Sequence, residues 1–290
     1  MLESIFSVEF LNDILRATTP ILFSALAASV AAKSGITNMA LEGIMLFSAL
    51  FGVVFSSFTG NFLTGLILTM VFGGLIGFVL AFFVLKLKTD EILAAVAINL
   101  MATGGTVLLL LAIFDLRGSS SGVASNSAPV IGGQNLMTWL AFILVVVMHL
   151  FLYKTPLGLK IRAVGENKHA AESVGISAEK IQYIALILSG VLASMGGFFL
   201  SGGYMNMFTK DMSAGKGFIA LAASGMGGNT PIGAMLVSLL FGMTQALASI
   251  MQLTDIPTEL IQMTPYLVTL IGLGVYSYSN MKKKQKLAGK

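Results

Sequence analysis

"KTPLGLKIRAVGENKHAAESVGISAEKI", residues 154–181, carries eight charged residues in a protein where charged residues are only 10% of the chain. The stretches on either side, 137–153 and 181–201, are apolar and long enough to be read as membrane spans. A polar island between two such runs belongs in water at one face of a bilayer. The fold class that follows is an all-α, polytopic membrane protein. Composition agrees: 56% of the 290 residues are hydrophobic and the mean hydropathy is +0.90. A soluble domain of this length needs more surface charge than that. There is no cysteine, which excludes disulfides, thiolate metal sites and thiol nucleophiles. The opening "MLESIFSVEFLND" is acidic where a secretory signal would be cationic, so the first apolar run is read as a retained span.

Working outward, the apolar runs predict nine spans, at about 17–33, 38–57, 62–85, 92–113, 137–153, 181–201, 217–228, 232–251 and 264–280. The seventh is short. As a helix "GFIALAASGMGG" rises about 18 Å, against a hydrocarbon core of about 30 Å. It crosses only with flanking help or as part of a broken helix. Charge sets the orientation. With the N-terminus outside and nine crossings, the 17 cations divide into thirteen inside and four outside, the four being Arg16, Arg117, Lys210 and Lys216. This is the asymmetry of the positive-inside rule. Trp139, Tyr204 and Tyr266 then mark outer span ends, and Tyr153, Tyr183, Tyr276 and Tyr278 mark inner ones. The island becomes the longest cytoplasmic loop, 154–180, and the tail 281–290 is basic and cytoplasmic. The outer loop 115–135, rich in Ser, Gly and Asn, reads as irregular and solvated.

Polar residues inside spans are costly and face a bundle interior or a water-filled path. Asn38 and Glu42, four apart, are expected on one helix face near the inner end of the second span. Asn99 lies in the fourth span and Gln245 in the eighth. Each is a candidate for the translocation path or gate, or for interhelical hydrogen bonding. Small residues at helical spacing, Gly73 with Gly77 and Gly190 with Ala193 and Gly197, predict close helix contacts. Gly227 and Gly228 predict a tight turn before Asn229 and Pro231. His149 and His169 have no metal-ligand partner at helical spacing, so they read as ordinary interfacial histidines. Within the island, 167–174 can form a short helix stopped by Gly175, a shape suited to docking a soluble partner.

Three stretches carry a resemblance. "GLKIRAVGENKHAAESVGIS" resembles the cytoplasmic coupling loop of bacterial ABC importer permeases of the sugar, branched-chain amino acid and nucleoside group. "SGITNMALEGIMLFSA", 34–49, is similar to the nucleoside-type branch, and "GKGFIALAASGMGGNTPIGAMLVSLLFG", 215–242, to the C-terminal block of the family. The resemblance covers most of the chain. It implies one transmembrane permease domain over residues 1–290, with the vitamin B12-type fold lacking its first helix. It implies that Arg162, Gly165, Asn167, Ala170, Ala171, Glu172, Gly175 and Ile176 couple the chain to an ATPase. The implied partners are that ATPase, a second permease subunit (a paralogue rather than a copy of this chain), an extracytoplasmic solute-binding lipoprotein and membrane lipids.

The sequence holds no Gly-x-x-x-x-Gly-Lys-Ser/Thr loop, so ATP would be used by the partner and no cofactor is expected in this chain. The function implied is the permease of a nucleoside importer in the bacterial plasma membrane. The alternatives are a permease for simple sugars and an ion-coupled secondary transporter. Against the last stand the lack of an internal repeat and the scarcity of ionisable residues within spans.

Overall fold

The computed structural model describes residues 7–121, 123 and 128–252, with isolated positions at 263, 267, 268, 272 and 274. The chain forms ten α-helices and one two-stranded hairpin over this range. Seven helical segments are long and apolar enough to cross a membrane among the described residues. They are α1 (Val8–Lys33), α2 (Leu41–Thr59), α3 (Phe62–Ala81, continued by a π-helical turn to Lys86), α4 (Glu91–Phe114), α5 (Leu136–Lys154), α8 (Ala178–Phe198, continued by a π-helical turn to Tyr204) and α10 (Pro231–Met251). The island folds as α6 (Pro156–Glu166) and α7 (Lys168–Ser173), and α9 spans Lys216–Met226. The expected ninth span, 264–280, lies outside the described residues apart from isolated positions, and the basic tail lies wholly outside them.

α1 begins well before the expected residue 17. Ser7 caps it by accepting from the Phe10 N–H at 3.1 Å, so Asp13 and Arg16 belong to the helix. Further along, α1 is the buried centre of the bundle, packed by α5, α8, α9 and α10. Its hydroxyls serve neighbours as well as its own backbone. Thr19 meets Thr138 on α5 at 3.2 Å, and Ser29 meets Ser224 on α9 at 2.9 Å. α4, by contrast, is buried over little of its length, which suits contact with lipid tails. The α3–α8 pair is the closest, because Gly73 and Gly77 face Gly190. A Cβ at Gly73 would stand 2.6 Å from the Gly190 carbonyl oxygen, so the expected small-residue contact is present.

Two breaks shape the centre. The chain leaves α1 at Ser34 and Gly35, with Gly35 at φ +85°, and residues 36–40 run without helix before α2 begins at Leu41. The chain leaves the π turn of α8 after Tyr204 and stays non-helical until Lys216. α9 has eleven residues. It rises about 16 Å, roughly half a bilayer core. Gly228 and Asn229, both at positive φ, make the turn expected before Pro231.

Most of the described residues of the loop 115–135 are exposed or half-buried, as expected of a solvated segment, but Ser120 is not. Ser120 is fully buried, donating its N–H to the Phe208 carbonyl and accepting from the Phe208 N–H, both at 2.8 Å. Strands β1 (Val130–Ile131) and β2 (Gln134–Asn135) close its far end as a hairpin. Ser119 and Thr209 form an antiparallel bridge and the Lys210 N–H donates to the Gly118 carbonyl at 2.7 Å, so residues 118–120 supply partners to a backbone that no helix serves.

Candidate functional site

The two breaks meet. The Glu42 carboxylate, in the first turn of α2, accepts from the Gly215 N–H at 2.8 Å and from the Gly217 N–H at 2.7 Å. It therefore caps α9 from a different helix. The free N–H groups at a helix start, and the positive end of its dipole, favour a carboxylate there. Glycine is needed at 217, because a Cβ would stand 2.5 Å from the Glu42 nitrogen.

Asn99, on α4, accepts from the Gly43 N–H at 2.8 Å and donates to the Met39 carbonyl at 3.0 Å. Asn38 is fully buried, donates to Ser189 on α8 at 2.9 Å and accepts from the Ala40 N–H at 3.0 Å. Asn38 and Glu42 do not share a helix face. Asn38 precedes α2, since its side chain bonds the backbone two residues on and closes a turn there. Three of the four candidate path residues, Asn38, Glu42 and Asn99, thus converge on one polar junction, which fastens α2, α4, α8 and α9 together.

Gln245 lies apart from the junction. It lines a cavity of about 350 Å³ between α1, the π turn of α8, the 205–215 segment and α10, together with Asp13, Arg16, Tyr204 and Lys216. Its carbonyl oxygen is buried without a hydrogen-bond partner. Lys216 sits between the two glycines that Glu42 holds and donates to the Ser213 carbonyl at 3.4 Å. The cavity and the junction are therefore adjacent. Lys216, Gly215 and Gly217 were not picked out from sequence. The signal available was "GKG" ahead of an apolar segment too short to span.

The island is more ordered than a loop. Thr155 caps α6 by accepting from the Gly158 N–H at 3.1 Å, and Pro156 takes the first helical position. That Thr-Pro pair is the sequence signal for α6, a helix the reading of the island did not include. The second helix matches expectation: Asn167 caps it at the Ala170 N–H, and Gly175 ends it at φ +84°.

The eight coupling residues divide by direction. Arg162 donates to the Leu152 carbonyl at 3.0 Å and covers the Tyr153 ring at 4.7 Å. Gly165 rests on the backbone of Lys33 and Gly35, where a Cβ would overlap the Lys33 carbonyl oxygen. Ala171 is buried, and Ile176 is partly buried against the core. Gly165 is nevertheless exposed on its other side, and Ala170, Glu172 and Gly175 are exposed, as are Lys168, His169 and Val174, which were not among the eight. Asn167 is exposed as well, though its side chain is used as the cap. His149, inside α5, packs against Tyr153 with the two rings tilted and their centroids 4.8 Å apart. Among the described residues no cluster of His, Cys, Asp or Glu could hold a metal ion.

The family described as "Branched-chain amino acid transport system / permease component" matches residues 10–273. Nucleoside ABC transporter permease protein NupC of Lactococcus lactis subsp. cremoris is 34% identical over 282 residues, covering 89% of this chain and 89% of its own. Guanosine ABC transporter permease protein NupQ of Bacillus subtilis is 32% identical over 295 residues, covering 92% of each. Among solved structures, PsaBC from Streptococcus pneumoniae in complex with Fab has a similar fold, with a TM-score of 0.56 over 93% of each chain and 12% identity. The family match takes in the junction, the cavity and the island alike, and the chain belongs to the branched-chain amino acid transport system permease family.

Proposed function

We propose that the chain is the transmembrane permease subunit of an ATP-driven nucleoside importer and supplies half of the solute pathway. The observation that carries the substrate class is similarity to two permeases named for nucleosides and guanosine, over 89% and 92% of the chain. A separate ATPase, a second permease subunit and an extracytoplasmic solute-binding lipoprotein complete the transporter. In this reading the N-terminus is outside, the C-terminus is inside and the chain crosses nine times in the vitamin B12-type arrangement. The short α9 finishes the seventh crossing, and the non-helical segment 205–215, with Lys210, leads into it from the outer side. The division of cations between the two sides supports this.

The geometry supports a route from motor to path. The ATPase docks on the exposed face of α6 and α7. Gly165 rests on the break at 33–35, so motion of the hairpin reaches residues 36–40 and then Glu42. Glu42 holds the start of α9 beside the cavity. Asn38, Glu42 and Asn99 form the gate and Gln245 lines the path. Switching between outward and inward access requires that these contacts differ between the two states. In a strain lacking this chain, uptake of radiolabelled nucleosides should fall and return when the gene is restored. Undiminished nucleoside uptake with lost ribose or galactose uptake would move the assignment to sugars.

A further inference from the structure

The cavity beside the junction has features of a ligand site that capping and packing do not account for. Its volume, about 350 Å³, falls in the range of about 300–1,000 Å³ usual for small-molecule sites. It is graded. Asp13 and Arg16 are exposed at its mouth, and Tyr204 is 51% exposed, whereas Pro20, Leu200 and Ala246 are buried at its base. The Arg16 guanidinium lies 5.7 Å from the centroid of the Tyr204 ring. An exposed aromatic face beside a guanidinium plane is a surface on which nucleobases stack. Asp13 and Arg16 share the mouth, and Lys216 lies deeper, within reach of the Glu42 and Asp211 carboxylates, so its ammonium is the donor offered to acceptors on a solute. A guanine edge offers two acceptors, O6 and N7, to an ammonium such as that of Lys216. Gln245 adds an amide side chain to the lining.

We propose that this cavity is a transit site within the subunit, holding a nucleoside with its base against Tyr204 and Arg16 and its polar edge toward Lys216 and Gln245. The proposal rests on the nucleoside reading above and adds the place where the solute pauses. An occupant touching Lys216 lies next to Gly215 and Gly217, the two glycines that Glu42 holds. Filling of the site is thereby coupled to the position of α9. A sugar without a base lacks the flat π face that Tyr204 selects.

The test uses the whole transporter, with its ATPase, second permease and binding protein for uptake, and the purified membrane complex without binding protein for labelling. The probe is 8-azidoguanosine, activated by light, with labelled peptides identified by mass spectrometry. Label is expected on peptides containing Tyr204 or Gln245, displaced by unlabelled guanosine and not by ribose. Tyr204→Ala should reduce both labelling and uptake about tenfold. Tyr204→Trp, which keeps a stacking face, should retain them. Tyr204 is half exposed, so membrane levels of both variants should match wild type, and rescue by Trp separates stacking from a structural role. A complex that imports nucleosides but labels elsewhere, or is indifferent to Tyr204→Ala, overturns the transit site and leaves the nucleoside reading standing. A complex that imports no nucleoside overturns both.

Discussion

Glu42 holds the start of α9, 173 and 175 residues away, through two backbone hydrogen bonds. Losing them leaves two N–H groups without acceptors, at about 1–3 kcal/mol each. Glu42→Ala should therefore lower the melting temperature of the detergent-solubilised protein and abolish uptake. Glu42→Gln keeps one acceptor oxygen and should fall between Ala and wild type. A melting temperature for Glu42→Ala equal to that of wild type would show that the carboxylate does not hold α9. Asn38 and Asn99 teach a related lesson. Their polarity inside spans was legible from sequence. Their partners Ser189, Met39 and Gly43 were not, because the helix start at Leu41 is set by a turn that Asn38 itself closes.

At the scale of elements, the hairpin α6–α7 has an inward and an outward side. Arg162, Gly165, Ala171 and Ile176 fasten it to the bundle, so changing them tests the permease's own packing. Val174 is 74% exposed and apolar, on a face shared with His169, Ala170 and Glu172. Val174→Glu should leave membrane levels normal. If the face is covered by the ATPase, the added carboxylate is buried without a partner and ATPase retention should weaken about a hundredfold or more. Uptake should fall with it. Co-purification of the ATPase at wild-type levels, with normal uptake, would remove this face from the docking surface. Ala171→Glu is the contrasting variant: it should lower the stability of the permease itself, read as a lower melting temperature, because Ala171 packs inside.

At the scale of the molecule, the orientation can be read by chemistry, since the chain has no native cysteine to interfere. Ser121 and Lys160 are both exposed. A cysteine placed at 121 should react with a membrane-impermeant maleimide on intact cells. A cysteine at 160 should react only after the membrane is opened. Labelling at 160 in intact cells, and none at 121, would invert the proposed topology. Ser120 is unsuited to this test, because it is buried against Phe208.

Composition and the spacing of apolar runs were enough to establish a multi-pass helical protein, most helix boundaries to within a few residues, and the polar island as a distinct element. These properties are local: a bilayer demands apolar stretches of set length and backbone hydrogen bonds closed within each helix. The short segment 217–228 was also legible as unable to span alone. What tertiary structure decided is which distant groups meet. No local pattern places Glu42 at the start of α9, Gly165 on the backbone of Lys33, or Arg16 beside Tyr204. Those contacts depend on how closely the helices approach and on where two breaks fall in the packed bundle. The side of the island that faces the protein was hidden for the same reason: α6 is fixed by what it packs against, and the sequence of the island contains only one partner of each contact.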